Sequence, residues 1–365
     1  MKTGPYRADQ VGSLLRSKPL KDAREKHEKG TLDDAGLAAV EDTEIKALIK
    51  KQEAVGLAAI TDGEFRRTWW HLDFLSHLTG AERYDSAQGI QFHGMQTKAH
   101  AVRVIGKLDF PENHPHLQHF KFLKANTQRT AKMTIPSPSM LHFRAGRKGI
   151  SDKAYPDMAA YYHDLGHAYN KAIKAFYAAG CRYLQLDDTS LAYFCDPAQI
   201  KMLADRGDDP KQLVNQYRDT LAIALKDRPK DMTITTHTCR GNFRSTFVAT
   251  GGYEPVSDMV FNHIDVDGYF MEWDDERSGG FEPLRYLPKG KKVVLGLVTT
   301  KVGNLESRDV IKRRIEAAAK HAPLDQLCLS PQCGFASTEE GNALGEGEQW
   351  KKLELIAGIS KEIWG

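Results

Sequence analysis

Short apolar runs alternate with longer amphipathic stretches along almost the whole chain. The runs are too short for helices and are bounded by polar punctuation, so they read as buried strands. Residues 57–61 lead into Asp62-Gly63-Glu64, 132–135 into Pro136-Ser137-Pro138, and 182–186 into Asp187-Asp188. Residues 232–236 lead into His237, 268–271 into Glu272, 292–297 into Val298-Thr299-Thr300, and 326–329 into Ser330-Pro331-Gln332-Cys333. A weaker strand at 9–11 would end at Gly12-Ser13. Between the runs the apolar spacing turns helical. Stretch 33–55 lines up Leu37, Val40, Ile45, Leu48 and Ile49. Stretch 157–178 lines up Met158, Tyr161, Leu165, Ala168, Ile173 and Phe176, with Gly180 as its stop. Stretches 211–225, 308–319 and 348–363 complete the set. Strands alternating with helices predict parallel strands, and eight of them predict an α/β fold, a closed (β/α)8 TIM barrel spanning 1–365 as one domain.

Residues 80–128 break the rhythm. They are rich in Gly, His and Gln, with a strand-like stretch at 101–105, and predict an inserted hairpin or excursion after the second strand. Their histidines (His93, His100, His114, His116, His119) read as solvated loop residues, because no Cys or carboxylate spacing organises them.

Composition narrows the function. A chain of 365 residues with a net charge of +3 offers no charged field for nucleic acid or an anionic membrane. Its longest apolar run, Val293-Val294-Leu295-Gly296-Leu297-Val298, falls far short of the roughly 20 residues a membrane helix needs. The opening stretch, Met1 to Arg7, lacks the apolar core of a signal peptide. The expectation is a soluble cytoplasmic enzyme acting on small molecules; its oligomeric state is not legible. Five cysteines, odd in number and sparse, are not a disulfide framework. Cys181 and Cys328 lie in apolar strands and read as core. Cys195, beside Phe194, reads as packing.

In a parallel barrel the C-terminal strand ends converge on one face, where active sites form. The expected ends carry Ser13, Asp62, Glu64, Asp187, Asp188, His237, Cys239, Glu272 and Cys333. Side chains two apart on a strand point the same way, so His237 and Cys239 can reach one ion. With Glu272 and Cys333 they make a His, Cys, Glu, Cys set that suits Zn2+. Structural zinc sites use short local spacings, whereas these ligands come from three strand ends, which favours catalysis. Zinc so held would keep a substrate thiol ionised near neutral pH and ready for alkylation.

Val11-Gly12-Ser13, Asp62-Gly63-Glu64 with Arg66, Leu184-Gln185-Leu186-Asp187-Asp188, Thr236-His237-Thr238-Cys239, Met271-Glu272 and Pro331-Gln332-Cys333-Gly334 occur in that order. This ordered set resembles the catalytic barrel of cobalamin-independent methionine synthase, in the superfamily that also contains uroporphyrinogen decarboxylase. The likeness covers nearly the whole chain and is to the short, single-barrel branch. It implies a methyltransferase of methionine biosynthesis, with His237, Cys239, Glu272 and Cys333 on zinc. It implies that Glu64 and Asp187 hold the amino group of homocysteine and that Ser13 holds its carboxylate. A carrier, methyltetrahydrofolate or another, would be the methyl donor.

The departures lie on the donor side. The family's general-acid His aligns with Lys301, its partner Asp with Thr299, and the Trp that stacks on the pterin with His142. Lys301 is thus the candidate at the general-acid position, and the donor stays open. Three other readings stand beside this one. Alkyl transfer to a different thiol, as in epoxyalkane:coenzyme M transferases, would leave the two acids Glu64 and Asp187 without an amino group. A metal-free decarboxylase would leave the His-Cys-Glu-Cys set unexplained. A non-enzymatic zinc or thiol-binding barrel is the fourth.

Overall fold

The computed structural model describes residues 4–365; Met1, Lys2 and Thr3, part of the stretch read for a leader, lie outside them. Among the described residues eleven strands are formed: β1 (Ala59–Ile60), β2 (Thr79–Asp85), β3 (Gln91–Phe92), β4 (Met95–Gln96), β5 (His100–Asp109), β6 (Thr130–Pro136), β7 (Tyr183–Asp188), β8 (Thr233–Thr238), β9 (Gly268–Glu272), β10 (Lys292–Val298) and β11 (Leu327–Pro331). Seven of them make one sheet in the order β1-β6-β7-β8-β9-β10-β11, and every pair in it is parallel. Every residue of β7, β8, β9 and β11 is buried, as expected of strands covered on both faces.

The sheet is curled, not flat. Lys132 on β6 lies 4.1 Å from the ring centre of Phe270 on β9, although β7 and β8 run between them. The Lys132 ammonium is fully buried and pairs with Asp9 at 3.1 Å. Tyr183 donates to the other Asp9 oxygen at 2.8 Å. A buried ion pair of this kind contributes little net stability, but losing one partner costs about 3–5 kcal/mol.

The expected eighth strand takes an irregular form. The N-terminal segment forms a single parallel bridge, Ala8 with Leu329 of β11. Farther along, Leu14 N–H donates to Gly63 O at 3.1 Å, and the Thr61 hydroxyl donates to Gly12 O at 2.7 Å. The segment therefore bonds to both ends of the seven-strand ladder. Gly12 has φ +149°, and an added Cβ would stand 2.6 Å from Thr134 Cγ2, so only glycine fits this passage.

The helices follow the amphipathic pattern. Asp34–Val55 is capped by Asp33, whose carboxylate accepts from Gly36 N–H, and is closed by Gly56 in the left-handed region. Met158–Ala178 is capped by Asp157. Pro210–Leu225, Arg308–Ala318 and Glu346–Trp364 fall where the periodicity placed them. Lys18–Glu28, Pro115–Ala125, Pro197–Asp205 and Glu254–His263 are helices that the pattern did not isolate.

Between β1 and β6 the chain leaves the parallel sheet. β2 pairs antiparallel with β5, β3 with β4, and the helix Pro115–Ala125 follows. This helix corrects the reading of the histidines. His114 caps it and His116 lies in its first turn; both are buried, packed with Phe74, and neither His116 ring nitrogen makes a hydrogen bond. Burial pushes His114 down to about 3 and His116 well below its ordinary value. They are neutral core residues, whereas His93 is exposed and His100 half-buried.

Candidate active site

β8 and β9 run side by side, with His237 in register with Phe270. Their ends carry His237 and Glu272, and the chain reaches Cys239 one residue past β8 and Cys333 two past β11. One ligand atom from each of His237, Cys239, Glu272 and Cys333 lies within 4.8 Å of all the others, and all four residues are buried. The two sulfurs are 3.5 Å apart, near the ~3.8 Å edge of a tetrahedron with ~2.3 Å zinc–sulfur bonds.

The electrostatics call for a cation at this point. The Cys239 thiol is pushed well up by its hydrogen bond with Cys333, by burial, and by the negative charge of Cys333 and Glu272. Burial also raises Glu272, against the opposing pull of Lys301, Arg277 and Arg240. His237 is pushed down to about 3 by burial, so its imidazole is neutral and free to ligate. Neither of its ring nitrogens makes a well-formed hydrogen bond; a backbone contact with Phe270 is the only weak counterweight. An orphaned imidazole, two adjacent sulfurs and a buried acid fit a divalent ion. Gly241 N–H donates to Cys239 Sγ at 3.3 Å and Arg240 N–H to Glu272 Oε1 at 3.3 Å, the kind of support that orients ligands. The far oxygen of Glu272 faces Arg277 at 3.6 Å.

A cleft opens beside these residues, lined also by Ser13, Glu64, Asp187 and Gly334. Glu64 sits at φ 60°, in the left-handed region, which turns its side chain inward. It is buried, accepts from Thr134 Oγ1 at 2.9 Å and faces Arg67 at 3.3 Å; its second oxygen makes no hydrogen bond. Asp187 accepts from Gln185 Nε2 at 2.7 Å. Burial raises both carboxyls, and each raised acid lies within electrostatic reach of the other. Two buried acids on the lining of one cleft suit a cation. Asp188, by contrast, is spent on its own turn, accepting from Ser139 Oγ, Ser190 Oγ and Leu191 N–H.

Buried arginine staples hold the loops around the cleft. Arg16 donates to Leu14 O, Ala336 O and Arg67 O, and Arg24 to Phe65 O and Arg67 O. Ser13 fits tightly: a Cβ on Gly334 would stand 1.9 Å from its hydroxyl oxygen. Gly334→Ala is therefore expected to push Ser13 out of place. Misplacement by an ångström costs on the order of 10²-fold in efficiency. Steady-state kinetics should show this as a raised KM with unchanged metal content; an unchanged KM would show that Ser13 does not contact the substrate.

Two sequence candidates sit elsewhere. Lys301 lies outside both the lining of this cleft and that of the neighbouring one. Its ammonium donates to Asn242 Oδ1 at 3.3 Å and Thr246 O at 3.2 Å, and Asn242 is what faces the cleft. His142 is buried among Tyr161, Tyr162 and Tyr217, bonded to Tyr217 Oη at 2.8 Å, and is pushed down to about 4 by burial. Cys181, Cys195 and Cys328 are buried, and burial raises each thiol. Sequence reading missed Trp69, Trp70, His71, Arg144, Asn242 and Phe243, all on the lining. The paired tryptophans before His71, in a polar stretch just past Asp62-Gly63-Glu64, were the available signal.

The chain is similar to known proteins over its whole length. The uncharacterized protein YxjH of Bacillus subtilis (strain 168) is 51% identical over 99% of this chain and 95% of its own length. A solved structure from Listeria monocytogenes, described as a candidate vitamin-B12-independent methionine synthase, superposes with a TM-score of 0.80 at 41% identity over the whole of both chains. A B12-independent methionine synthase from Shewanella sp. W3-18-1, in complex with selenomethionine, superposes with a TM-score of 0.70 at 18% identity, over 98% of this chain and 97% of its own. The model of the cobalamin-independent synthase catalytic domain matches residues 7–346, and the chain belongs to that family.

Proposed function

We propose that this protein is a zinc-dependent thiol S-methyltransferase that converts homocysteine to methionine. The observation that carries the reading is the joining of the His237, Cys239, Glu272, Cys333 cluster to a cleft bearing two buried acids. Zinc held by the four residues would act as a Lewis acid that keeps an acceptor sulfur ionised and nucleophilic at neutral pH. Glu64 and Asp187 bind the ammonium, and Ser13 binds the carboxylate. That fixes the thiol end of the amino acid toward the cysteines. Glu272 is the replaceable ligand, since the Arg240 N–H and Arg277 already hold it from the protein side. The Shewanella relative, bound to selenomethionine, carries an amino acid of the same skeleton as the product. Lys301, at the family's general-acid position, stands behind Asn242 and is proposed to position that side chain at the cleft.

The paired acids give the sharpest test. Glu64→Gln and Asp187→Asn should each weaken homocysteine binding by about 10–100-fold, since each removes one side of a charge-assisted contact worth ~1.5–3 kcal/mol. 4-Mercaptobutyrate, which lacks the amino group, should bind all three proteins alike. Isothermal titration decides it. Equal losses for both ligands would mean that the acids do not read an ammonium. Coenzyme M, which has no amino group, should bind poorly.

A further inference from the structure

Three loops that leave different strands are tied together by one side chain. The first follows β8 and carries Cys239, the second follows β10 and carries Thr300 and Lys301, and the third follows β11 and carries Cys333 and Gly334. Asn242, on the first loop, is 5% exposed and stands among them. Its Nδ2 donates to Gly334 O at 2.8 Å and to Ser337 Oγ at 3.1 Å. Its Oδ1 accepts from Lys301 Nζ at 3.3 Å and from Asn342 Nδ2 at 3.0 Å. Asn342 Nδ2 also donates to Thr300 O at 2.9 Å, and Thr300 N–H donates to Oε1 of Gln332, the neighbour of Cys333, at 2.7 Å.

The chemistry of the partners fixes which way this amide faces. An ammonium only donates and a peptide carbonyl only accepts, so the amide oxygen must face Lys301 and the nitrogen Gly334. Both donor hydrogens and both acceptor positions are then in use, which leaves the buried amide one orientation. The backbone suits the same task. Gly241 has φ +90°, a conformation that favours glycine, and its N–H donates to Cys239 Sγ at 3.3 Å. The turn thus touches one sulfur at Gly241 and reaches the loop of the other at Asn242. Gly334 in turn packs against Ser13, and Phe335 N–H donates to Ser13 O at 2.9 Å.

We propose that Asn242 is a positioning residue that sets the spacing of Cys239 and Cys333, and that its Nδ2 bond to Gly334 O does the setting. The inference rests on the metal-centre reading above and adds a residue outside the ligand set. Gly334 is held by Asn242 and packed against Ser13, so the same bond joins the metal ligands to the place proposed for the acceptor's carboxylate.

Asn242→Asp in the full-length protein separates the two halves of the side chain. It keeps an acceptor for Lys301 and Asn342 and loses the donor for Gly334. Its zinc affinity, measured by competition with a chromophoric chelator, should fall about 10–100-fold, as for other residues that orient ligands. With cobalt in place of zinc, its sulfur-to-metal charge-transfer absorption should be weaker than in wild type. Asn170→Asp controls for a loss of stability alone. Asn170 Nδ2 ties Ala224 O at 3.1 Å and Lys226 O at 2.7 Å to the helix Met158–Ala178, which lends no residue to the cleft. This variant should melt earlier and keep the cobalt spectrum. Asn242→Ala, which brings no charge, gives the same reading should the aspartate variant not fold. A metal-free measurement separates the clamp from the metal centre. The thiols of Cys239 and Cys333 with one glutathione disulfide give a protein disulfide and two glutathione thiols. That equilibrium constant reports how closely the two sulfurs are held, and should fall at least tenfold in Asn242→Asp. An unchanged constant, or wild-type zinc affinity in the variant, overturns the proposal. Failure of wild type to bind zinc would strike the metal-centre reading, while the disulfide equilibrium still decides the clamp.

Discussion

Replacing Cys239 or Cys333 by serine is expected to strip zinc from the protein and abolish alkyl transfer while leaving the fold standing. A serine hydroxyl does not ionise near neutral pH, so one of the two soft, anionic ligands disappears. Loss of a mere supporting hydrogen bond costs roughly 10–100-fold in metal affinity, and loss of a ligand exceeds that. The fold survives because both residues lie at strand ends, past β8 and β11, and serine is close to isosteric. Metal content after dialysis against a mild chelator, with circular dichroism as the fold control, reads the result. Cys181→Ser and Cys328→Ser, in the core, should keep the metal. Full zinc in either strand-end variant would end the metal-centre reading.

Acidification is expected to unfold the protein well above the pH at which carboxylates titrate. His71, His114 and His142 are held at about 3, 3 and 4, and His116 well below its ordinary value of 6.5, in each case chiefly by burial. Their folded values lie below the unfolded one, so the unfolded chain takes up more protons. Stability is then full above about pH 6.5 and falls as pH drops toward the folded values. One unit below the unfolded value each buried imidazole costs about 1.4 kcal/mol, so the four together cost roughly 5 kcal/mol near pH 5.5. That approaches the whole stability of many domains, about 5–15 kcal/mol. Four carboxyls raised chiefly by burial, Glu41, Glu64, Asp187 and Glu272, act in the opposite sense and offset part of this loss. Urea unfolding at pH 7.5 and 5.5 measures the difference, and His116→Leu should recover about a quarter of it. A stability that stays flat between those pH values would show that these imidazoles are protonated in the folded protein.

The parallel strands were legible because each is an apolar run stopped by polar residues, as in Tyr183–Asp188 and Gly268–Glu272. The grouping of His237, Cys239, Glu272 and Cys333 was legible for the same reason: its members stand at strand ends, and topology brings strand ends together. What stayed hidden depends on contacts without periodicity. The eighth position is a segment with one bridge at Ala8, which carries no alternating pattern. His114 and His116 looked like loop residues because nothing local shows that Phe74 packs on them. Arg144 carried no signal in the sequence, since its place on the lining of two clefts is a product of tertiary structure. Lys301 aligned with a functional position, yet its partner Asn242 is what reaches the cleft.

The arginine staple has a consequence for how the protein is made. Arg16 grips Ala336 across 320 residues of chain, and Ser13 meets Gly334 over a similar span. The cleft therefore cannot assemble on a nascent chain until the segment from Cys333 to Ala336 has left the ribosome. Before then His237, Cys239 and Glu272 lack the second thiolate, and a site with three ligands holds zinc weakly. Metal capture would thus wait on the segment that carries Cys333: a chain stopped before it would lack both the Gly334 contact with Ser13 and the fourth candidate ligand.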